Sequence, residues 1–347
     1  MEDLSLPSVY VHDPTRGRFG NAQRIEHCKQ ALLDTPGFDH IAFHTSGQDF
    51  TADVLDHRLE SDLATKDRQL LSELGNQLAA RFKLFEQAVR PWQSGVLIRL
   101  VLHGPRRLVV CNAVTAEQLI VASGPLEPDT SLETALALDR RAAALTDALR
   151  AFVNLPSQDP GGFRGDPPTD GVLLGTSSLT QSGHAVAGAS TPCMDTYLEH
   201  TGVPGPVADE LCRSVDAAHL HYAAHVAGGV WRCAADLLAH PGLTRFFSRS
   251  ATVDLRRAAY QAFGTRLCSG PESLIGQLTL DAEDMIGNIN RVVIDVEQGA
   301  FYAYRLGSDD FVLGVTVDQR RVADADLRMA KLAGELSERS LRRDVRA

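Results

Sequence analysis

RVVIDVEQGAFYAYRLGSDDFVLGVTVD, residues 291–318, reads as three short apolar strands separated by two tight turns. Val292, Ile294 and Val296 alternate with Val293, Asp295 and Glu297, the period-2 pattern of a strand with one buried face. Gln298-Gly299 supplies the first turn, because glycine tolerates the positive φ that tight hairpin turns need. A second strand covers Ala300–Leu306. Gly307 to Asp310 turn the chain again, and Phe311, Leu313, Val315 and Val317 line one side of a third strand. The product is an antiparallel meander that carries almost no reactive side chain.

The same organisation occurs earlier in the chain. Within 96–123, VLIRLVLH, RRLVVCNA and EQLIVAS form three strand patterns, the first two separated by Gly104-Pro105. Each meander precedes a helix. After the first, Thr130 and Glu133 have capping-box spacing, and Leu138, Ala142, Leu145 and Leu149 share a face. After the second, 323–340 places Met329, Leu332 and Leu336 on one side. Upstream, a helix from Asn21 carries Ile25, Cys28 and Leu32 and stops at Pro36-Gly37. FDHIAFHTSGQDFTADVL (38–55) reads as a hairpin. Between Lys66 and Val89, Leu71, Leu74, Leu78, Phe82, Phe85 and Val89 recur at helical spacing and define one broad apolar stripe.

In the second half, LLAHPGL (237–243) echoes LLDTPGF (32–38), while GVLLGTSSLTQSGHAVAGAS (171–190) has the pattern of a hairpin. The favoured register takes the second of these as the opening hairpin and leaves 206–288 as a helical region. The expected organisation is a loose arm (1–20), a first domain (21–153), a Pro/Gly linker (154–170), a second domain (171–340) with a helical insertion over about 195–288, and a basic tail (341–347). The fold class is α+β, with each domain an antiparallel meander sheet covered by helices and extra helices in the second half.

Of 347 residues, 44% are hydrophobic and 22% charged, ordinary values for a globular protein of about two domains. The net charge of −10 argues against nucleic acid or an anionic membrane as partner, since phosphate contacts need clustered Lys and Arg. Only four of the 34 basic residues are lysine, a bias that fits a GC-rich coding genome. The six cysteines contain no C-x-x-C pair and several fall in apolar patterns, which fits a reducing cytoplasm. Neither a signal peptide nor an apolar run long enough to span a bilayer is expected.

Chemical motifs are few. His219, His221 and His225 lie in AAHLHYAAHVA; on a helix His221 and His225 share a face, but the zincin glutamate is replaced by Tyr222, so the structural reading is favoured over a metal site. Asp281, Glu283 and Asp284 lack a calcium-loop ladder and read as a solvated helix face. GTSSLTQSG has no recognisable base, and no G-x-x-x-x-G-K-[ST] is present, so the chain is not a P-loop GTPase. Arg106-Arg107 and Arg320-Arg321, near the meander turns and ends, read as surface charges. No catalytic residue, cofactor or metal is expected.

Taken in order, hairpin, long helix, three-strand meander and helix resemble the Roadblock / dynein light-chain superfamily. The likeness is closest over 289–336 and extends to 37–150. The resemblance implies a cytoplasmic, non-enzymatic regulatory or scaffold protein that serves as a platform for a small Ras-like GTPase or another protein, as some bacterial members do for polarity or motility GTPases. It also implies that the first meander strand and the main helix pair with their equivalents in a second domain. Here that places Leu97, Arg99 and Val101 against Val292, Ile294 and Val296, with Leu74, Leu78 and Phe82 of the main helix at the interface. The two domains then form an internal pseudo-dimer, or each pairs with its twin in a homodimer. Two other readings are a small-molecule sensor with a pocket between the sheet and the 195–288 helices, and a metal-dependent enzyme using His221 and His225.

Overall fold

The structure is a computed structural model that describes residues 8–13, 21–34, 37–45, 49–55, 62–127, 130–164, 192–196, 205–270 and 272–344. The first half contains β1 (Ser8–His12), α1 (Asn21–Asp34), β2 (His40–His44), β3 (Phe50–Leu55), α2 (Asp62–Val89), β4 (Leu97–His103), β5 (Arg107–Thr115), β6 (Gln118–Pro125) and α3 (Leu132–Phe152). The second contains β7 (Cys193–Thr196), α4 (Pro206–Ser214), β8 (Tyr222–Ala227), β9 (Val230–Asp236), α5 (Val253–Cys268), α6 (Leu274–Ile286), β10 (Arg291–Val296), β11 (Gly299–Arg305), β12 (Asp310–Thr316) and α7 (Val322–Asp344).

The twelve described strands make one antiparallel sheet, ordered β1-β3-β2-β6-β5-β4-β10-β11-β12-β8-β9-β7. The order is the same read outward from the middle in either direction. At the centre Val101 of β4 faces Val293 of β10. Outward on one side the partners run Val101, Val110, Ala122, Ile41, Ala52. On the other they run Val293, Tyr302, Gly314, Ala223, Ala235. These ladders define corresponding positions in the two halves, related by a pseudo-twofold axis at the Val101–Val293 pair.

Alternation along each strand sorts the side chains into two cores. Leu100, Leu102, Val292 and Ile294 pack with α2, α5 and α6 on one face. Val101, Val110, Val293 and Tyr302 pack with α1, α3, α4 and α7 on the other. The α2 stripe is buried along its length, from Leu71 to Val89. Pro91 then forces a short 3₁₀ turn, Arg90–Trp92, that ends with Gln93 in the left-handed region. The β10–β11 turn is made where Gly299 adopts φ +114°, a conformation that L side chains rarely adopt.

Several expectations are corrected. Part of the expected loose arm is β1, which pairs with β3 through Ser8–Leu55 and His12–Thr51. The expected helical region 195–288 contains the hairpin β8–β9, turned at Gly228-Gly229 with both residues at positive φ. AAHLHYAAHVA misled because a four-residue spacing puts residues on one side of a helix and equally on one side of a strand. The candidate hairpin 171–190 lies outside the described residues.

The LLDTPGF/LLAHPGL echo is not a structural repeat. The first leads out of α1, and the second leads from β9 into a 3₁₀ turn at Pro241–Phe246. The cap of α3 is Ser131, whose hydroxyl accepts from the Thr134 N–H, so the Thr130/Glu133 box is displaced by one residue. Part of the expected linker is a buried turn, Pro160–Gly162. The expected basic tail begins inside α7, which runs to Asp344. Arg107 is not a surface charge: it is buried and forks onto Asp39 at 2.5 and 2.8 Å.

Candidate functional site

The middle of the sheet is where the two halves meet. β4 and β10 pair from Arg291–His103 to Asp295–Arg99, with a register irregularity between Asp295 and Val296. Arg99 and Arg291 hold corresponding positions, each two residues before the central valine of its strand. Burying a guanidinium requires a carboxylate and satisfied N–H groups, and each half provides the carboxylate from its last helix. Arg99 binds Asp139 of α3, and Arg291 binds Asp326 of α7 with Nε–Oδ1 at 3.0 Å.

The two arginines differ in what else they meet. Arg99 also forks onto Asp295 across the seam, Nε–Oδ2 at 2.8 Å and Nη2–Oδ1 at 3.1 Å. Burial alone would lower the Arg99 pKa, but Asp139 and Asp295 together raise it above the usual arginine value. Asp295 accepts a third hydrogen bond, from the Gly161 N–H at 2.8 Å. The stretch after α3 is therefore fastened over the seam, with the Phe163 ring 5.7 Å from the Arg99 guanidinium. Where Arg99 meets Asp295, Arg291 meets His103. Burial first, and then the Arg291 charge, hold His103 down at about 4.

On the opposite face a second set of contacts joins the halves. Trp92, in the turn after α2, stacks on Phe301 of β11 at 5.5 Å and meets Phe263 of α5 edge-on at 4.9 Å. Phe85 of α2 also meets Phe263 edge-on, at 6.5 Å. Arg81 of α2 bonds both Gln277 and Asp281 of α6, at 2.7 and 2.9 Å. Asp281, expected on a solvated face, is thus half of an inter-helix bridge.

The residues singled out from sequence lie at this junction. Leu97, Arg99 and Val101 are on β4, and Val292, Ile294 and Val296 on β10. All six are buried, as are Leu74, Leu78 and Phe82. These residues make their contacts within the chain. Sequence reasoning missed Trp92, Asp139, Gly161 and Asp326. The aspartates had a signal, since each interrupts the apolar face of a helix that follows a meander; Trp92 had only its position after Pro91.

The histidines are not assembled as metal ligands. His221 lies just before β8 and His225 within it. His221 Nδ1 accepts the Val317 N–H at 3.0 Å, while Nε2 lies 3.4 Å from the Ala217 carbonyl. Burial holds His221 neutral, with its pKa lowered to about 4. His225 Nε2 instead bonds Asp310 at 2.7 Å. Among the described residues no three His, Cys, Asp or Glu side chains come together in a metal-binding group. Burial pushes the thiols of Cys28 and Cys268 up to about 12 and that of Cys233 to about 11, so none is a ready nucleophile at neutral pH.

The class that these observations define is a mixed α+β protein built on one antiparallel sheet with helices on both faces. No described helix is long and apolar enough to cross a membrane. No protein-family model matches the chain, and a search of curated proteins found no significant match.

Proposed function

We propose that the chain is a cytoplasmic, non-enzymatic platform for a small Ras-like GTPase, built from two Roadblock-like units that pair within one polypeptide. The observation that carries this reading is the β4–β10 ladder, which joins two halves of matching strand order at their first meander strands. A meander leaves that strand as an open edge, and an open edge is satisfied by pairing with another sheet. In this chain the second sheet is supplied covalently, so the platform is assembled before any partner arrives. The buried Arg99–Asp139–Asp295 cluster and the Trp92 contacts serve that assembly.

The partner surface in this reading is the outer side of the α2, α5 and α6 layer, where Leu84, Leu255 and Leu280 are exposed large apolar side chains. The test is interferometry with the purified chain against small Ras-like GTPases of the source organism, each loaded with GDP or a non-hydrolysable GTP analogue. Saturable binding to one of them, weakened about tenfold or more by the pair Leu84→Glu and Leu280→Glu, is expected. Absence of binding to all of them rejects the reading.

A further inference from the structure

Beyond that reading, we infer that the first half holds a binding site for a small organic carboxylate with an apolar body. A cavity of about 680 Å³ lies between α2 and the ends of β2, β4, β5 and β6, inside the range of roughly 300–1,000 Å³ common to small-molecule sites. Ala79, Phe82, Leu97 and Leu119 give it apolar walls, and Arg150, from the end of α3, borders it.

Arg150 fixes the sign of the ligand. It is 6% exposed, and its Nε and Nη1 are held by the carbonyls of Pro156 and Val114 at 2.7 and 2.6 Å. None of its nitrogens bonds a carboxylate among the described residues, while Asp147 and Glu297 act on it at a distance. A buried guanidinium oriented by two carbonyls and lacking a bonded anion suits a carboxylate, which it binds with charge-assisted hydrogen bonds. A second polar atom of the wall, Gln118 Oε1, is buried with no hydrogen-bond partner among the described residues. Lys83, Asp49, Glu86 and Glu117 also border the cavity, but Lys83, Asp49 and Glu117 are exposed to solvent and Glu86 is half-buried, which leaves Arg150 as the buried charge of the wall. The deciding cation is therefore Arg150.

The second half shows that this space is not a by-product of the architecture. Outward from the central valines, the pair Ala113–Leu119 of β5 and β6 corresponds to Arg305–Phe311 of β11 and β12. There the Arg305 guanidinium lies over the Phe311 ring at 4.7 Å and bonds the Ile289 carbonyl at 2.9 Å. Larger side chains occupy at that pair what alanine and leucine leave open in the first half.

The experiment is isothermal titration of the full chain with decanoate and with 1-decanol, its uncharged analogue. Decanoate is expected to bind one to one and about tenfold tighter than 1-decanol, with the preference lost in Arg150→Gln. Ala113→Phe, which leaves Arg150 intact and narrows the cavity from its β5 wall, is expected to weaken decanoate binding about tenfold or more without lowering the melting temperature; this variant decides the matter if Arg150→Gln does not fold. No saturable binding of decanoate, equal affinity for the two probes, or unchanged binding in Ala113→Phe overturns the inference. None of these readouts involves a protein partner, so they stand or fall separately from the GTPase reading.

Discussion

The two halves share one topology and differ in what they do with it. In the first, a single 28-residue helix, α2, crosses its face of the sheet; in the second the corresponding layer is two helices, α5 of 16 residues and α6 of 13. Among the described residues Arg99 holds two carboxylates, and Arg291 one, Asp326. His44 stands in β2 where the ladders place Val226 in β8, and Ala113 stands where the second half has Arg305. Strand order therefore survives wide changes in side-chain chemistry, because backbone pairing at the seam depends on extended backbone and buried edges. The details on each face are free to diverge, toward tighter filling in the second half and toward open space and polar groups in the first.

The largest effect expected from this comparison is at the arginines. Arg99→Ala leaves Asp139 and Asp295 without their cation, and a loss of about 3–5 kcal/mol is expected in urea unfolding. Arg291→Ala strands one carboxylate, so its loss should be smaller. An equal or reversed order breaks the argument that Arg99 differs from Arg291 by its bond to Asp295 across the seam. Trp92→Ala removes an aromatic shared by α5 and β11 and should cost about 3–5 kcal/mol as well; a loss below about 1 kcal/mol would mean that the α2 and α5 layers are not joined there.

Acid should act on specific histidines. His221 has a folded pKa of about 4 against 6.5 for the free group. A lowered histidine pKa means that the folded state favours the neutral ring, so its stabilisation is complete above pH 6.5 and is lost as pH falls toward 4. For His221 the full loss is roughly 3 kcal/mol. His103 has the same direction and window. Melting temperatures measured from pH 7.5 to 4.5 should fall through this range, and less steeply in His221→Gln. Identical pH profiles would refute the assignment.

The smallest expected effect tests the comparison most directly. His44 is buried, its Nε2 has no partner among the described residues, and burial lowers its pKa. Replacing it with its counterpart, His44→Val, should change stability at pH 7.5 by no more than about 1 kcal/mol and reduce the acid sensitivity. A strongly destabilised variant would mean that His44 makes a contact that its counterpart does not replace.

Both meanders, the helices that follow them and the α2 stripe were legible in the sequence because each depends on local periodicity and turn chemistry. Leu71 through Val89 can bury one face only as a helix, and Val292, Ile294 and Val296 only as a strand. The opening of the second half was not legible. Tyr222–Ala227 is short and rich in alanine, and the four-residue spacing from His221 to His225 fits helix and strand alike. Its identity comes from pairing with β12 on one side and β9 on the other, partners distant in sequence. Nor did the chain order reveal β1, whose partner β3 lies some forty residues away. The charged centre follows the same division. Sequence placed Arg99 and Asp295 on the two edge strands, but Asp139 and Gly161 reach them only once α3 and the turn after it have packed over the seam. Local pattern determined which segments are strands and helices; long-range burial decided how they pair, because the free energy of closing an open sheet edge and neutralising a buried guanidinium exists only after distant parts of the chain have come together.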